Sequence, residues 1–455
     1  MTRTPAPVEK PVALTVAGSD SGGGAGVQAD LKTMEAHGAF ATSVVTSVTA
    51  QNTRGVEGAF TLPVDEVEAQ FDAVASDFDV RAAKTGMLAE APVVEAVAER
   101  VDGLDAPVVV DPVMVATSGD RLLSSAGVEA YDDLVDGAAL VTPNADEAAV
   151  LTDVEPTDEE SAREAGEAIV DAGADAALVK GGHVPGDVVR DVLVTTDGAE
   201  TFEHPRVDTD ATHGSGCTLA SAVAARLAHG DDVRDAVAAG TAFLERAVRY
   251  PLDVGKGPGS VHHLVALRER ADRQPTAEAV EAVVRSFVDR DVSALVPEVG
   301  MNVVGATSYA ERVDETAAVE GRITRTLSGV APNRGVRFGA SSHVARFLLA
   351  AREFDPDLRF AVNCRFDADV EAALAALDSP VAAFDRAAEP DDVKEREGST
   401  MQWGARQAFE AADGTPAAVV DRGEVGKEAI VKLLAADEST LRERTFKVLD
   451  ELATG

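Results

Sequence analysis

The sequence predicts a two-domain α/β protein, and three observations carry that reading. The 455 residues exceed what a single hydrophobic core usually supports. Through residues 11–250, short β-rich runs alternate with Ala- and Glu-rich segments of helical spacing. Glycines and prolines then cluster in PLDVGKGPGSVHHLVALRERADRQPT (251–276), ahead of a new apolar pattern.

The strand-like runs are PVALTVAGSD, ATSVVTSVTA, VRAAKTGM, PVVVDPVM, AALVTPN and AALVKGG. Each ends in small or turn residues, as a strand does where it meets a loop. Between them, VDEVEAQFDAVASDF (64–78) and SAREAGEAIVDAGA (161–174) space their apolar residues as helices do. Strand–helix alternation implies a sheet covered by helices on both faces, with ligands at the carboxyl ends of the strands. The Gly, Asp, Asn and Lys residues of this half fall at those ends. After the Gly/Pro cluster, TAEAVEAVVRSFVD is expected to begin a fresh helix, and mixed strands and helices follow.

Composition narrows the function. At 45% hydrophobic and 26% charged, the chain has the apolar material of folded cores. No apolar stretch approaches the roughly 20 residues needed to span a bilayer. MTRTPAPVEK lacks the apolar region of a secretory signal. Two cysteines, Cys217 and Cys364, cannot build a disulfide framework, so a reduced, cytoplasmic setting is expected. A net charge of −38 argues against nucleic acid as a partner, because an acidic surface repels phosphate. With nine Lys against 32 Arg, the chain also reads as one suited to high salt, where screening tolerates self-repulsion. The charge therefore points to a halophilic source rather than to a function.

The segment ATHGSGCTLASAVAARLAHG (211–230) places Gly214, Ser215, Gly216 and Cys217 before a run of small apolar residues. A glycine turn feeding a helix directs free N–H groups at one point, where the helix dipole favours an anion. Read alone, the segment is either a phosphate cradle or a tight loop before a packed helix. Cys217 in that turn is expected to have a lowered pKa and could serve as a base or nucleophile, or simply as a small buried residue. AGSDSGGGAGVQADLKT (17–33) has glycines that admit a ligand close to the backbone, with Gln28 and Asp30 able to read polar groups. It is neither a Walker A sequence nor a dinucleotide fingerprint. His262 and His263 are adjacent and point apart, which argues against a shared metal, and Met87 and Met114 read as pocket lining.

Together, AGSDSGGGAGVQADLKT, TAQNTRGV (49–56), KTGML (84–88), DPVM (111–114), SGD (118–120), TPNADEA (142–148), KGGH (180–183), THGSGCT (212–218) and GKGPGSVHHL form one ordered series. The series resembles the hydroxymethylpyrimidine/phosphomethylpyrimidine kinases (ThiD-like) of the ribokinase-like superfamily, over residues 11–265. The resemblance implies a ribokinase-like α/β sandwich and a kinase using ATP and Mg²⁺ twice, on a hydroxymethyl group and then on the resulting monophosphate. It implies that Gly18, Asp30 and Gln51 hold the aminopyrimidine, with Met87 lining the pocket. Asp111, Asn144 and Glu147 would organise Mg²⁺ and the ATP phosphates, Lys180 would neutralise phosphate charge, and Gly214 to Gly216, including Ser215, would form the anion hole. Cys217 stands where many ribokinase-like enzymes place an aspartate base, and this kinase family also uses Cys there. A homo-oligomer follows by analogy with ribokinase-like kinases, which often dimerise.

In the second half, NRGVRFGASSHVARFLLAARE (333–353) sets Ser341 and Ser342 before an amphipathic helix with Val344, Phe347, Leu348 and Ala351 on one face. The serines fit an N-cap, and with His343, Arg334 and Arg337 they fit a phosphate site equally. GSTMQWG (398–404) and DRGEVGKE (421–428) read as loops, and Trp403 as packing. EVGMNVVGA (298–306), EGRI (320–323), VRFGASSHVARFLL (336–349), AVNCRF (361–366), FDR (384–386), EREGSTMQWG (395–404) and DRGEVGKE together resemble the archaeal-type thiamine-phosphate synthase domain (ThiN-like), over residues 277–452. That resemblance implies a second, smaller α/β domain. It would join the pyrimidine diphosphate to thiazole phosphate and release pyrophosphate. Arg322 and His343 would be its active residues, with Asn302, Ser341, Ser342, Asn363, Asp385, Ser399, Thr400 and Lys427 around them. A non-catalytic domain that senses thiamine phosphate is the alternative, and retention of Arg322 and His343 favours catalysis.

Overall fold

The structure, a computed structural model, describes residues 8–114, 125–394, 399–424 and 426–454. SGD (118–120), EREG (395–398) and Val425 lie outside the described residues. The chain divides into two compact units, Met1–Ala266 and Leu267–Gly455. Among the described residues, no helix is long and apolar enough to cross a membrane.

Among the described residues of the first unit, nine strands form one sheet. They are β1 (Val12–Asp20), β2 (Phe40–Asn52), β3 (Gly55–Thr61), β4 (Val80–Thr85), β5 (Val108–Val110), β6 (Leu140–Val141), β7 (Ala176–Val179), β8 (Val188–Thr195) and β9 (Gly198–Pro205). Their order is β3-β2-β1-β4-β5-β6-β7-β8-β9. Pairing is parallel from β2 through β7 and antiparallel at β3, β8 and β9. The six strand-like runs of the first half form β1, β2, β4, β5, β6 and β7, and the two helical runs form Val64–Asp77 and Glu159–Asp171.

Period-two alternation supplies both faces of this sheet with apolar side chains. Leu14, Val16, Val108 and Val110 meet Val67, Phe71, Val93 and Val97 from helices Val64–Asp77 and Ala91–Asp102. Ala13, Ala82, Val109 and Leu140 meet Met34, Leu219 and Val223 from helices Gly26–Ala36 and Ser215–Ala228. The second of these helices is built of small residues, with Ala220, Ala222, Ala224 and Ala225 fully buried. That composition seats it deep against the sheet and fixes where its first turn points.

In the second unit the strands are β10 (Val303–Ala306), β11 (Thr316–Val319), β12 (Ile323–Thr326), β13 (Gly329–Pro332), β14 (Val336–Phe338), β15 (Phe360–Arg365), β16 (Val381–Phe384), β17 (Ala418–Asp421) and β18 (Ile430–Ala435). The main sheet runs β14-β11-β10-β15-β18-β17-β16, antiparallel except between β16 and β17, and β12 pairs with β13 in a separate hairpin. Val303, Val362 and Leu433 face Val280, Phe287 and Leu441. Val304, Ala361 and Leu434 face Val344, Phe347, Leu348 and Ala405.

The division between the units falls inside the expected junction 251–276, and the Gly/Pro cluster there is anchored: Gly257 N–H donates to Thr53 Oγ1 (3.0 Å), and a Cβ on Gly257 would lie 1.8 Å from the Thr53 carbonyl oxygen. Two expectations are corrected. The charged run after the cluster is already helix, Val265–Arg290, with Pro275 inside it. Polar docking holds this stretch. Glu269 accepts from Thr307 Oγ1 (2.5 Å), and Asp272 accepts from the Ser308 N–H (2.7 Å) and Arg359 (2.8 Å). Likewise Ser399–Glu410 is helical where GSTMQWG read as a loop. Met401, Ala405 and Ala408 give it a buried stripe, and Gly404 is bare because a Cβ there would meet the Phe384 ring at 2.6 Å.

Candidate active site

Parallel strands bring their carboxyl ends to one edge, and in the first unit that edge opens into a cavity of about 660 Å³. Gly18 comes from β1, and Gln51 from β2. Lys84 comes from β4, and Asp111, Asn144 and Lys180 follow β5, β6 and β7. The turn Gly214 to Cys217 closes the cavity from the start of helix Ser215–Ala228.

Gly214 is the N-cap of that helix at φ +82°, and a Cβ on it would sit 1.8 Å from the Gly24 carbonyl oxygen. Only glycine combines that φ with so close an approach. Ser215 N–H donates to Thr212 O (3.0 Å) and Thr218 N–H to Gly214 O (2.9 Å). The N–H groups of Gly216 and Cys217 have no acceptor among the described residues. They stand at the positive end of the helix dipole. A Cβ on Gly216 would lie 3.3 Å from Lys180 Nζ, so the lysine ammonium is immediately beside the turn.

Lys180 Nζ donates to Asp111 Oδ1 (3.1 Å) and lies 3.9 Å from Glu147 Oε2. Burial disfavours its charge, but Asp111 and Glu147 outweigh that and raise its pKa. Burial, reinforced by the charge of Asp111, pushes the Glu147 carboxyl up to about 7 against the pull of Lys180. Asp111 Oδ2 is buried without a hydrogen-bond partner among the described residues. Asn144 and Glu147 form a capping box on helix Ala145–Thr152: Glu147 N–H donates to Asn144 Oδ1 (2.9 Å), and Asn144 N–H to Glu147 Oε2 (2.8 Å). Asn144 is therefore an N-cap first, with its side-chain carbonyl already engaged.

Asp30 departs from expectation. It accepts from Thr15 Oγ1 (2.6 Å), Ser221 Oγ (2.7 Å) and, through both oxygens, Lys84 Nζ (3.1 Å each). Both side chains of the pair are fully buried, and Asp30 does not line the cavity, so its carboxylate cannot read a substrate amine. Lys84 does line it. Gln28 is likewise engaged, accepting the Asp20 N–H (2.8 Å).

Cys217 is also corrected. Its thiol is pushed up to about 11, not down, because burial and the charges of Asp30 and Asp111 outweigh Lys84 and the Gly26 N–H. The helix dipole alone does not decide the protonation of a group this enclosed.

At the other end of the cavity, Asp20 accepts N–H bonds from Gly22 (2.8 Å), Gly24 (2.9 Å) and Ala25 (2.8 Å) and contacts His213 Nε2 at 3.0 Å. Burial opposes its charge, and these bonds, His213 foremost, hold the carboxyl below its ordinary value. His213 Nε2 is also 3.4 Å from Gln51 Nε2, which ties the glycine loop to the β2 end. Gly18 N–H donates to Met87 O (3.1 Å), and a Cβ on Gly18 would strike Met87 Cε at 2.3 Å. Met87 and Met114 line the cavity. His262 and His263 are buried, and burial with nearby Lys32 holds His263 down at about 4. Asp20, His213 and Lys84 carry no role in the sequence reading, although all three lie inside its motifs; their signal was a charge within a glycine-rich or strand-end segment.

In the second unit Ser342 precedes helix His343–Arg352 without capping it; its Oγ instead lies 3.4 Å from His343 Nδ1. Burial lowers the His343 pKa, and the positive charges of Arg346, Arg322, Lys432 and Arg386 all add to the effect. These cations therefore all act on His343, the first residue of the helix. Arg322, at φ +79°, donates from Nη1 to Val299 O. Asn363 is corrected: its Oδ1 accepts the Asn302 N–H (2.7 Å) and its Nδ2 donates to Gly300 O (3.1 Å). Asn302 is similarly taken up by the Val319 backbone, so both amides stitch strands together. Ser399 Oγ donates to Val393 O (2.5 Å), Thr400 follows in the same first helical turn, and exposed Lys427 pairs with Glu424 (2.6 Å). Asp385 caps a short helical turn through the Ala387 N–H.

Comparison with known proteins adds to this geometry. Residues 20–262 match the family profile described as phosphomethylpyrimidine kinase, and residues 279–446 match thiamine-phosphate synthase ThiN. A hydroxymethylpyrimidine/phosphomethylpyrimidine kinase of Streptomyces coelicolor is 52% identical over 274 residues, 59% of this chain and 100% of its own. The thiamine biosynthesis bifunctional protein ThiED of Geobacter sulfurreducens is 45% identical over 59% of this chain and 55% of its own. The ADP complex of Bacillus subtilis pyridoxal kinase aligns with a TM-score of 0.53 at 32% identity, covering 57% of this chain and 99% of that one. Its match places the first unit in the ribokinase-like fold. With one profile spanning over half its length and a relative matched end to end, the chain belongs to the phosphomethylpyrimidine kinase family and carries a ThiN domain behind the kinase.

Proposed function

We infer that the first unit transfers a phosphoryl group from ATP to 4-amino-5-hydroxymethyl-2-methylpyrimidine and then to its monophosphate. The second unit joins the diphosphate to thiazole phosphate, giving thiamine phosphate and pyrophosphate. The observation that carries the kinase reading is Lys180 standing beside the unbonded N–H groups of Gly216 and Cys217, with one oxygen of Asp111 left unpartnered. Phosphoryl transfer is mainly a matter of positioning and charge neutralisation, and this constellation supplies both.

Mg²⁺ fits the same residues. It usually takes one or two carboxylates together with substrate phosphates. Asp111, through its open oxygen, and Glu147 would hold it, and among the described residues no three His, Cys, Asp or Glu side chains group into a metal cage of their own. Bound there, the ion supplies charge neutralisation at the phosphates. Lys180 and the N–H turn would hold the transferring group, while Gln51, Gly18 and Met87 would seat the pyrimidine. Asp30 would act through Lys84. The net charge of −38 supports a salt-rich medium for this chemistry, where screening tolerates self-repulsion.

Cys217 separates the two phosphorylations. The first acceptor is an alcohol that must lose a proton; the second is already an anionic phosphate. A thiol held near 11 is mostly protonated at rest, so it acts as a base only from its minor thiolate form, which Lys84 favours and whose proton has gone to solvent. That thiolate takes the alcohol's proton as the oxygen attacks phosphorus and returns to the thiol. Cys217→Ala is expected to slow the first step by about 10² to 10⁴, the usual range for losing a general base, and the second far less. Separate initial-rate assays on the alcohol and the monophosphate check this, and equal losses would remove the base role.

The whole reading is tested by incubating the full chain in concentrated KCl with the hydroxymethylpyrimidine, Mg-ATP and thiazole phosphate. Thiamine phosphate should form. Arg322→Ala and His343→Ala should each lower its formation by about 10² to 10³, as loss of a charge-stabilising donor does, with pyrimidine diphosphate still produced. Accumulation of the diphosphate by the unmodified protein, with no thiamine phosphate, would make the second unit a sensor.

A further inference from the structure

Lysine is among the residues least often buried, and an unpaired buried ammonium disfavours folding. Lys432 is 3% exposed at the middle of β18, between Asn363 of β15 and Val419 of β17. Its Nζ lies 4.7 Å from the centre of the Phe347 ring and 5.8 Å from that of Phe384. Phe347 is one turn along from His343, so the ammonium sits under the first turns of helix His343–Arg352.

No carboxylate among the described residues comes within ion-pairing distance of it. Asp421, the acid nearest in charge, is gripped through both oxygens by Arg386 (2.9 and 2.7 Å). Burial draws the Lys432 pKa down to about 8, with Asp421 opposing and Arg386 adding, which leaves the group charged at neutral pH. Arg322, Arg346, Arg386 and Lys432 all act on His343 at that helix start, while Asp421, Glu389 and Glu424 act on Arg386. In a chain of net charge −38 this is a marked local excess of positive charge. The Ser342 hydroxyl, turned to His343 rather than to the helix N–H groups, leaves those donors open toward the same point.

We propose that Lys432 is a binding residue of the second unit, its buried ammonium holding the pyrophosphate group beneath the start of helix His343–Arg352. This rests on the synthase reading of that unit. Cation–π contact with Phe347 and Phe384 keeps the ammonium in place without satisfying it as a carboxylate would, so the site is ready for an anion.

The chain has one tryptophan, Trp403, set edge-on to Phe384 at 6.0 Å, so its emission reports on the surroundings of Phe384 in the second unit. Inorganic pyrophosphate titrated into the full-length protein should change that emission saturably. Lys432→Met should weaken the binding about tenfold or more, as loss of a charge-assisted contact does, and Lys432→Arg should restore most of it. The unfolding midpoint followed by Trp403 should hold or rise in Lys432→Met, because a buried unpaired charge has been removed. Unchanged pyrophosphate binding in Lys432→Met, or a lowered unfolding midpoint with binding lost, would overturn the proposal. If the unmodified protein makes thiamine phosphate while Lys432→Met binds as before, the failure is of Lys432 alone. If the unmodified protein neither makes it nor binds pyrophosphate, the synthase reading fails and takes the proposal with it.

Discussion

A Lys180→Met protein is expected to lose both phosphorylations by about three orders of magnitude, a loss at the upper end for removing one charge-stabilising donor. Methionine keeps most of the volume, so the loss is electrostatic. Lys180 is the cation beside the Gly216 turn, and it is also the partner of Asp111 and the counter-charge of Glu147. Without it, two buried carboxylates face each other, and Glu147, already at about 7, is driven further toward its protonated form. Steady-state assays should show kcat falling in both steps and KM for ATP rising, because the phosphates lose a cation and the carboxylates lose their ordering. Residual activity within about tenfold of the unmodified protein would mean that the N–H turn suffices without the lysine.

Lys84→Met should be the most damaging single change to the stability of the first unit, at about 3–5 kcal/mol, the usual loss when a buried pair is broken from one side. Asp30 would keep its bonds from Thr15 and Ser221 and lose the one cation paired with it among the described residues, at full burial. Removing both charges in Lys84→Met/Asp30→Asn should recover much of the loss, since the uncompensated carboxylate is what destabilises. Denaturant unfolding followed by circular dichroism measures the effect, while Trp403 emission, confined to the second unit, serves as the internal control. In the folded protein burial opposes the Lys84 charge but Asp30 outweighs it, raising its pKa. The contribution is thus fully present below the unfolded lysine value of about 10.4 and is lost as pH climbs through the folded one. A single variant no less stable than the double would remove the account.

The parallel sheet was legible because its strands are bounded β-rich runs and its helices show strong periodicity. The edge strands β3 and β9 were not, because most of their residues are exposed or half-buried and their runs resemble loops; β8, paired between β7 and β9, was passed over as well. Helix Ser399–Glu410 hid behind Gly404, a glycine required by a ring pressed against the helix rather than by a turn. The turn at Gly214 to Cys217 was legible because glycine and a small-residue helix advertise it. Asp30, Asn144 and Asn363 mark the limit: a polar side chain in a motif can serve the fold as readily as a ligand. Only the geometry shows that their oxygens are already taken. The thiol pKa of Cys217 was misjudged for a related reason, since helix position is visible in sequence and enclosure is not.

The raised pKa values of both cysteines, one buried and one lining the cavity, bear on the chemistry the protein must survive. Burial raises Cys364 to about 12 and Cys217 to about 11, and these are the only sulfhydryls in the chain. Electrophiles and peroxides attack the thiolate, whose share at neutral pH is then on the order of one part in ten thousand or less. The kinase therefore keeps a sulfur atom in its reaction chamber without offering it to alkylating or oxidising agents. Its activity should be indifferent to swings in cellular redox state that silence enzymes with exposed reactive cysteines.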